Sequence, residues 1–271
     1  MNLNTERVEK FRFTGAIESA LQKDSQEYYV LAVLRYLFPI KYSRVITGER
    51  PDLQGEEIGV EVTIAEDEKT MKTNRAFAQY CEGINKEKNK KKIEKLQQYR
   101  LEEKDDCKLL NSGGGGIDVL EKKLLQMAVV RKNKSVKKYL DQRFQRMELA
   151  VLKTEIPSSE FRENVINWVQ EVSKDNNVEI FDRIYVIGGD SCFWYNRDGS
   201  FGKKEISKEI SGKLKKIARM TAEKILTLDD MEWKNPNEDP EDPGVRSHYD
   251  FLKEKGAEMS RGCGHFLGLS K

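Results

Sequence analysis

The chain has 271 residues, 35% of them charged and 38% hydrophobic, with a formal net charge of +2. That length suits one large domain or two small ones, and the near-neutral balance excludes a protein whose overall field alone would gather nucleic acid. No apolar run approaches the ~18 residues of a membrane span, so no membrane partner is expected.

Cys81, Cys107, Cys192 and Cys263 form no CxxC pair, which fits a reducing, cytoplasmic setting better than a disulfide scaffold. The opening MNLNTERVEKFRF lacks the apolar stretch of a secretory signal. The only histidines, His248 and His265, lie near the end, so a histidine metal centre or Ser/His/Asp triad has little to build on. Charge is local. Residues 84–104 carry eight Lys/Arg against four acids, 118–146 nine against three and 203–224 eight against three, while 227–242 holds seven acids and one Lys. Lys-rich faces are ordinarily solvated surface; the functional alternative is a phosphate footprint.

In chain order, a helix is expected over about 24–37, capped by Asp24 or Ser25 and stopped before Pro39. Its apolar stripe holds Val30, Leu31, Leu34 and Phe38, with Glu27 one turn before Leu31. Strands are expected at 43–47, 50–54 and 58–65, the last two joined by a turn at 54–57. In the third, Ile58, Val60, Val62 and Ile64 alternate with Gly59, Glu61, Thr63 and Ala65. A charged helical pattern fills 69–104, NSGGGG (111–116) breaks the chain, and a second long helix covers about 118–140. A strand at 146–156, a helix opening at the serines after Pro157, and a strand–Gly turn–strand over 182–196 follow. A basic helix from about 203 to 226 leads to an acidic, proline-bearing stretch. The fold class is α/β: a mixed central β-sheet flanked by helices on both faces. The predicted organisation is an α/β domain over 1–199, with a helical insertion at about 66–116, and a C-terminal helical extension over 200–271.

Asp52 and Glu61 stand on adjacent antiparallel strands. The turn places 52 across from 59, with 61 diagonal, close enough for both carboxylates to share one ion. Two such carboxylates repel unless a cation joins them or one is protonated. Mg²⁺ suits a pair of carboxylates completed by water and phosphate oxygens. Gly59 on the same face would leave room for a ligand. The plain alternative is a solvated polar face.

The run RPD, a short turn and IGVEVT resemble the PD-(D/E)xK restriction-endonuclease-like nucleases, as does the order helix, β-meander, helix, strand, helix, strand over residues 16–195. The resemblance implies a restriction-endonuclease-like fold and Mg²⁺ (or Mn²⁺) held by Asp52, Glu61 and the carbonyl of Val62. It further implies metal-dependent endonuclease activity on DNA or RNA, in bacterial defence or DNA processing. It also allows Glu27, on the first helix, to add an acid to the metal site; a capping box at 24–27 is its alternative. One position departs: the superfamily's lysine is Thr63 here, and threonine cannot supply that charge. Lys132, in helical phase with Leu125, Val129 and Val136, is the replacement candidate, with Lys134 second. A lysine on an apolar stripe either snorkels or finds an acid. Lys91, Lys92, Arg131, Arg143 and Arg146 are the candidate contacts to the nucleic-acid backbone.

IGGDSCFWYN (187–196) reads as a hairpin turn and not a phosphate loop, and Cys192 as a core thiol. Trp194 and Tyr195 are core residues or base-stacking platforms. Two other functions stay open: an inactive nuclease-fold protein that binds nucleic acid, and an interaction subunit. The second would use the C-terminal extension for a homodimer or another protein partner.

Overall fold

The structure is a computed structural model that describes residues 5–13, 17–66, 72–73, 76–77, 79–80, 83, 85–95, 99–104, 107–112, 117–137, 144–153, 158–175, 178, 180–231 and 233. The apolar stripe read in the first helix forms α2 (Gln22–Leu37), where Val30, Leu31, Leu34 and Leu37 are buried. It follows α1 (Thr5–Lys10) and ends at Phe38, whose extended backbone leads into the short α3 (Pro39–Tyr42). Three antiparallel strands come next: β1 (Ile46–Thr47), β2 (Leu53–Gln54) and β3 (Ile58–Ile64).

β3 is buried on both sides, as its β-branched run requires. It pairs in parallel with β6 (Arg146–Leu152), reached through the crossover helix α5 (Ile117–Val136). A second crossover, α6 (Ser159–Asp175), leads to β7 (Arg183–Ile187), parallel to β6. β8 (Ser191–Asn196) and β9 (Phe201–Glu205) return antiparallel. The seven-stranded order is β1-β2-β3-β6-β7-β8-β9. Helix α7 (Lys208–Ala222), capped by Ser207, packs beside α2 on one face, over Val60, Val62, Ala150, Tyr185 and Trp194. α5 and α6 cover the other, over Leu149, Val151, Ile184, Val186 and Phe193. The mixed α/β sheet with helices on both faces is as the sequence predicts.

Two expectations are corrected. The helical pattern over 69–104 does not run to its end: after α4 (Lys86–Glu94) comes β4 (Tyr99–Lys104), which pairs with β5 (Cys107–Ser112) as a separate hairpin. Local charge hid that hairpin: the Asp105-Asp106 link lacks the glycine that marks a tight hairpin turn. The basic helix expected from 203 begins at Lys208, because 201–205 form β9. β9 is the sheet's last strand, and charged side chains on an edge strand are ordinary. The sheet continues past residue 199 into β9, and α7 and the short turn Leu228–Asp230 pack into the core shared with α2. Residues 234–271 lie outside the described residues, with both histidines.

Polar residues also lock the layers. Glu148, on β6, accepts from Lys41 Nζ (2.7 Å) and the Tyr42 hydroxyl (2.5 Å), fastening α3 to the sheet. Arg35 donates to Asp229 (2.7 Å) and to the Val45 carbonyl (2.8 Å). Trp194 and Cys192 are fully buried, so they are core residues and offer no stacking face.

Gly59 is not an opening for a ligand. A Cβ there would meet Pro51 Cγ at 2.6 Å and Met147 Sδ at 2.8 Å, so glycine lets the Pro51 segment close onto β3. Gly59→Ala should cost about 1–3 kcal/mol through overpacking. The melting midpoint should fall roughly 2–4 °C per kcal/mol. An unchanged midpoint would show that Pro51 and Met147 yield freely.

Candidate active site

The short β2 creates the site. Leu53 pairs with Val60 and Gln54 with Gly59, and one further step in that register sets Asp52 across from Glu61. The expected 52–59 pairing is therefore two residues out, and the acids are direct neighbours rather than diagonal ones. The ladder stops before Asp52, so the Val62 N–H donates to Asp52 Oδ2 instead (2.8 Å). Alternation turns Glu61 and Thr63 toward α5, since their β6 partners Leu149 and Val151 face that side.

Lys132 meets them from α5. It shares the stripe of Leu125, Val129 and Val136, all fully buried. Its Nζ donates to Asp52 Oδ2 (2.9 Å) and Glu61 Oε2 (2.5 Å). Asp52 is 5% exposed and Glu61 1%, so both carboxylates have left bulk water and one ammonium joins them. Lys134, two residues on and about 200° round the helix, lines a surface groove instead.

The electrostatics follow. Burial pushes the Asp52 carboxyl up, but the Lys132 ammonium, the Val62 N–H and Lys23 together hold it below its ordinary value. Glu27 is buried inside α2. The helix starts at Gln22, so Glu27 is not part of a capping box. Burial raises its carboxyl; Lys23 opposes that and the Asp52 charge adds to it. Lys23 Nζ lies 2.9 Å from Glu27 Oε1 and 3.5 Å from Asp52 Oδ1, linking the third acid to the pair. The 2.9 Å approach is an i,i+4 ion pair with Glu27 buried and Lys23 exposed. The sequence reading passed over Lys23, although its i,i+4 spacing to Glu27 was visible.

Arg131 Nη2 donates to the Thr63 hydroxyl (3.0 Å). Arg131 thus reaches the strand that carries Glu61. Lys91 and Lys92 are exposed on α4, and Arg146 is exposed at the start of β6, beside Lys41 and Glu148 in a different cleft. Arg143 lies outside the described residues. The structure gathers Asp52, Glu61, Lys132 and, through Lys23, Glu27. It does not bring Lys134 or Arg146 to them.

Among the described residues, no set of three or more His, Cys, Asp or Glu side chains stands at metal-ligand spacing. The donor set is thus the Asp52–Glu61 pair, already arranged about one cation. That fits Mg²⁺, which needs one or two carboxylates and takes the rest from water and phosphate. Compared with protein-family models, curated proteins and solved structures, the chain matches none. The site's chemistry has to be read from its own geometry.

Removing the ammonium leaves two buried carboxylates facing each other. Lys132→Ala should cost roughly 3–5 kcal/mol in chelator, measured by urea unfolding. A loss comparable to an exposed lysine's would show that the pair is solvated. The pH dependence has opposite signs at the two other acids. Asp52, held low, stabilises the fold above the ordinary carboxylate pKa, and that contribution is lost as pH falls through its lowered value. Glu27, held high, favours folding below its ordinary value, and that contribution is lost as pH rises through its raised one. At neutral pH, Asp52→Asn should lower the melting midpoint and Glu27→Gln should raise it, each difference shrinking in acid. The reverse order would contradict the assigned shifts.

Proposed function

We propose that the protein is a metal-dependent nuclease with a restriction-endonuclease-like core that hydrolyses phosphodiester bonds of nucleic acid, DNA first among them. One observation carries this reading: the Lys132 ammonium lies within hydrogen-bond reach of both Asp52 and Glu61. Two acids on neighbouring strands and a lysine aimed at both are the parts that phosphodiester hydrolysis requires, with the lysine supplied by a helix instead of by β3. The strand order is also compatible: an antiparallel β-meander followed by two parallel crossovers.

Asp52 and Glu61 hold Mg²⁺ or Mn²⁺ in this reading, with the Val62 carbonyl beside them. When bound, the metal lowers the pKa of a coordinated water and neutralises phosphate charge. Lys132 has three donors at the end of a partly buried four-carbon arm. It orients the attacking water against the carboxylates and can donate to a phosphoryl oxygen as charge develops. The water gives up a proton to bulk solvent as its oxygen bonds to phosphorus, the phosphorus–oxygen ester bond breaks, and the leaving oxygen takes up a proton from solvent. Glu27 tunes the charge at Asp52 through Lys23.

A second reading is a nucleic-acid-binding protein with a retired centre. It is favoured by Thr63 in the lysine position and by Arg131 engaging its hydroxyl. Purified protein incubated with labelled DNA or RNA, with Mg²⁺, Mn²⁺ or chelator, separates the two. The nuclease reading expects metal-dependent cutting, abolished in Asp52→Ala and Glu61→Ala and reduced about a hundredfold or more in Lys132→Ala. No cutting in either metal, with binding intact in all variants, would favour the retired centre.

A further inference from the structure

The helix that presents Lys132 also lines a groove of about 770 Å³ between α5 and α6. That volume falls in the range of roughly 300–1,000 Å³ typical of small-ligand sites. Its floor is apolar: Ile64, Leu124, Met127, Ala128, Val130 and Val172. Met127 is 57% exposed, one of three strongly exposed large apolar side chains among the described residues. The rim carries Lys123, Arg131 and Lys134. None of these three cations has a carboxylate partner among the described residues, and Arg131 makes only its bond to the Thr63 hydroxyl. Among the described lining residues the acids are Glu66 and Asp175, against the three cations of the rim.

The groove joins the candidate active site through Arg131. Thr63 lies two residues beyond Glu61 on the same face of β3, about 6.6 Å along the strand. That separation is comparable to the distance between neighbouring phosphates of one nucleic-acid strand. A phosphate held at Asp52, Glu61 and Lys132 would put the next phosphate near Arg131, and the nucleoside between them over the apolar floor. Paired bases are locked in the stack and cannot enter such a groove, whereas an unpaired base can be laid on an apolar surface.

Resting on the nuclease reading, we propose that this groove seats an unpaired nucleoside adjoining the cleaved phosphate, so that the substrate is single-stranded nucleic acid. Arg131 and Lys134 hold the flanking phosphates, and Leu124, Met127 and Val130 carry the base. The groove gives a use to Met127 and Lys134, which α5 leaves exposed.

The test is fluorescence anisotropy on the full chain with short labelled single-stranded DNA, single-stranded RNA and the matching duplexes, in chelator so that nothing is cut. Wild type is compared with Met127→Glu and with the Arg131→Ala, Lys134→Ala double variant. Their sites are exposed, so melting midpoints should match wild type. Expected is a preference of about tenfold or more for one of the single strands over its duplex, and its loss in both variants. Duplex bound as tightly as single strand, or variants that bind the single strand like wild type, would overturn the proposal. Metal-dependent cutting that survives with no single-strand preference would retire the groove alone. An intact, variant-sensitive preference without any cutting would retire the nuclease reading alone.

Discussion

One ammonium group between two buried carboxylates organises this end of the molecule. Asp52 and Glu61 belong to neighbouring strands and Lys132 to the helix that crosses over them. Without the lysine, bringing the two acids together would oppose folding, because each would lose hydration and face a like charge. With it, the meander edge and α5 are held in one register. A buried ion network of this kind seldom adds net stability over an apolar equivalent. Its presence in an otherwise apolar stripe therefore points to a use other than holding the fold.

The local backbone makes that arrangement possible. β2 is two residues long, so the strand ends before Asp52 and leaves the Val62 N–H for its carboxylate. Gly59 lets the Pro51 segment lie against β3, which brings position 52 over position 61. Burial would raise both acids, yet Asp52 stays low because donors converge on it, while Glu27, opposed by Lys23 but facing the Asp52 charge, is raised. Two carboxylates in one neighbourhood thus differ in proton affinity, which is what acid–base chemistry at a phosphate draws on. The second charged cluster, around Glu148, differs: Lys41 and Tyr42 saturate that acid, which fastens α3 in place.

Much of this was legible in the sequence, unevenly. The strict alternation of 58–64 gave away β3, and its two acid-bearing strands followed from the turn at 54–57. Lys132 stood out because a lysine in phase with Leu125, Val129 and Val136 has to snorkel to solvent or find an acid. The register did not follow, since a shift of two residues keeps every side chain on its face and leaves no trace in hydrophobic pattern. β4 and β9 were hidden because they are rich in Lys and Glu, residues that favour helices in isolation. Lys23 was overlooked because an exposed lysine on a first helical turn looks like solvated surface. Only the fold shows that it leans over Glu27 and Asp52.

The central claim is that the Asp52–Glu61 pair is a cation site that a divalent metal can enter. Crystals of the protein grown with Mn²⁺ and measured at the manganese absorption edge test it most directly. The account predicts an anomalous peak between Asp52 and Glu61, with Lys132 shifted away from at least one carboxylate. Saturating Mn²⁺ with no peak there, and Lys132 still bridging both acids, would contradict it.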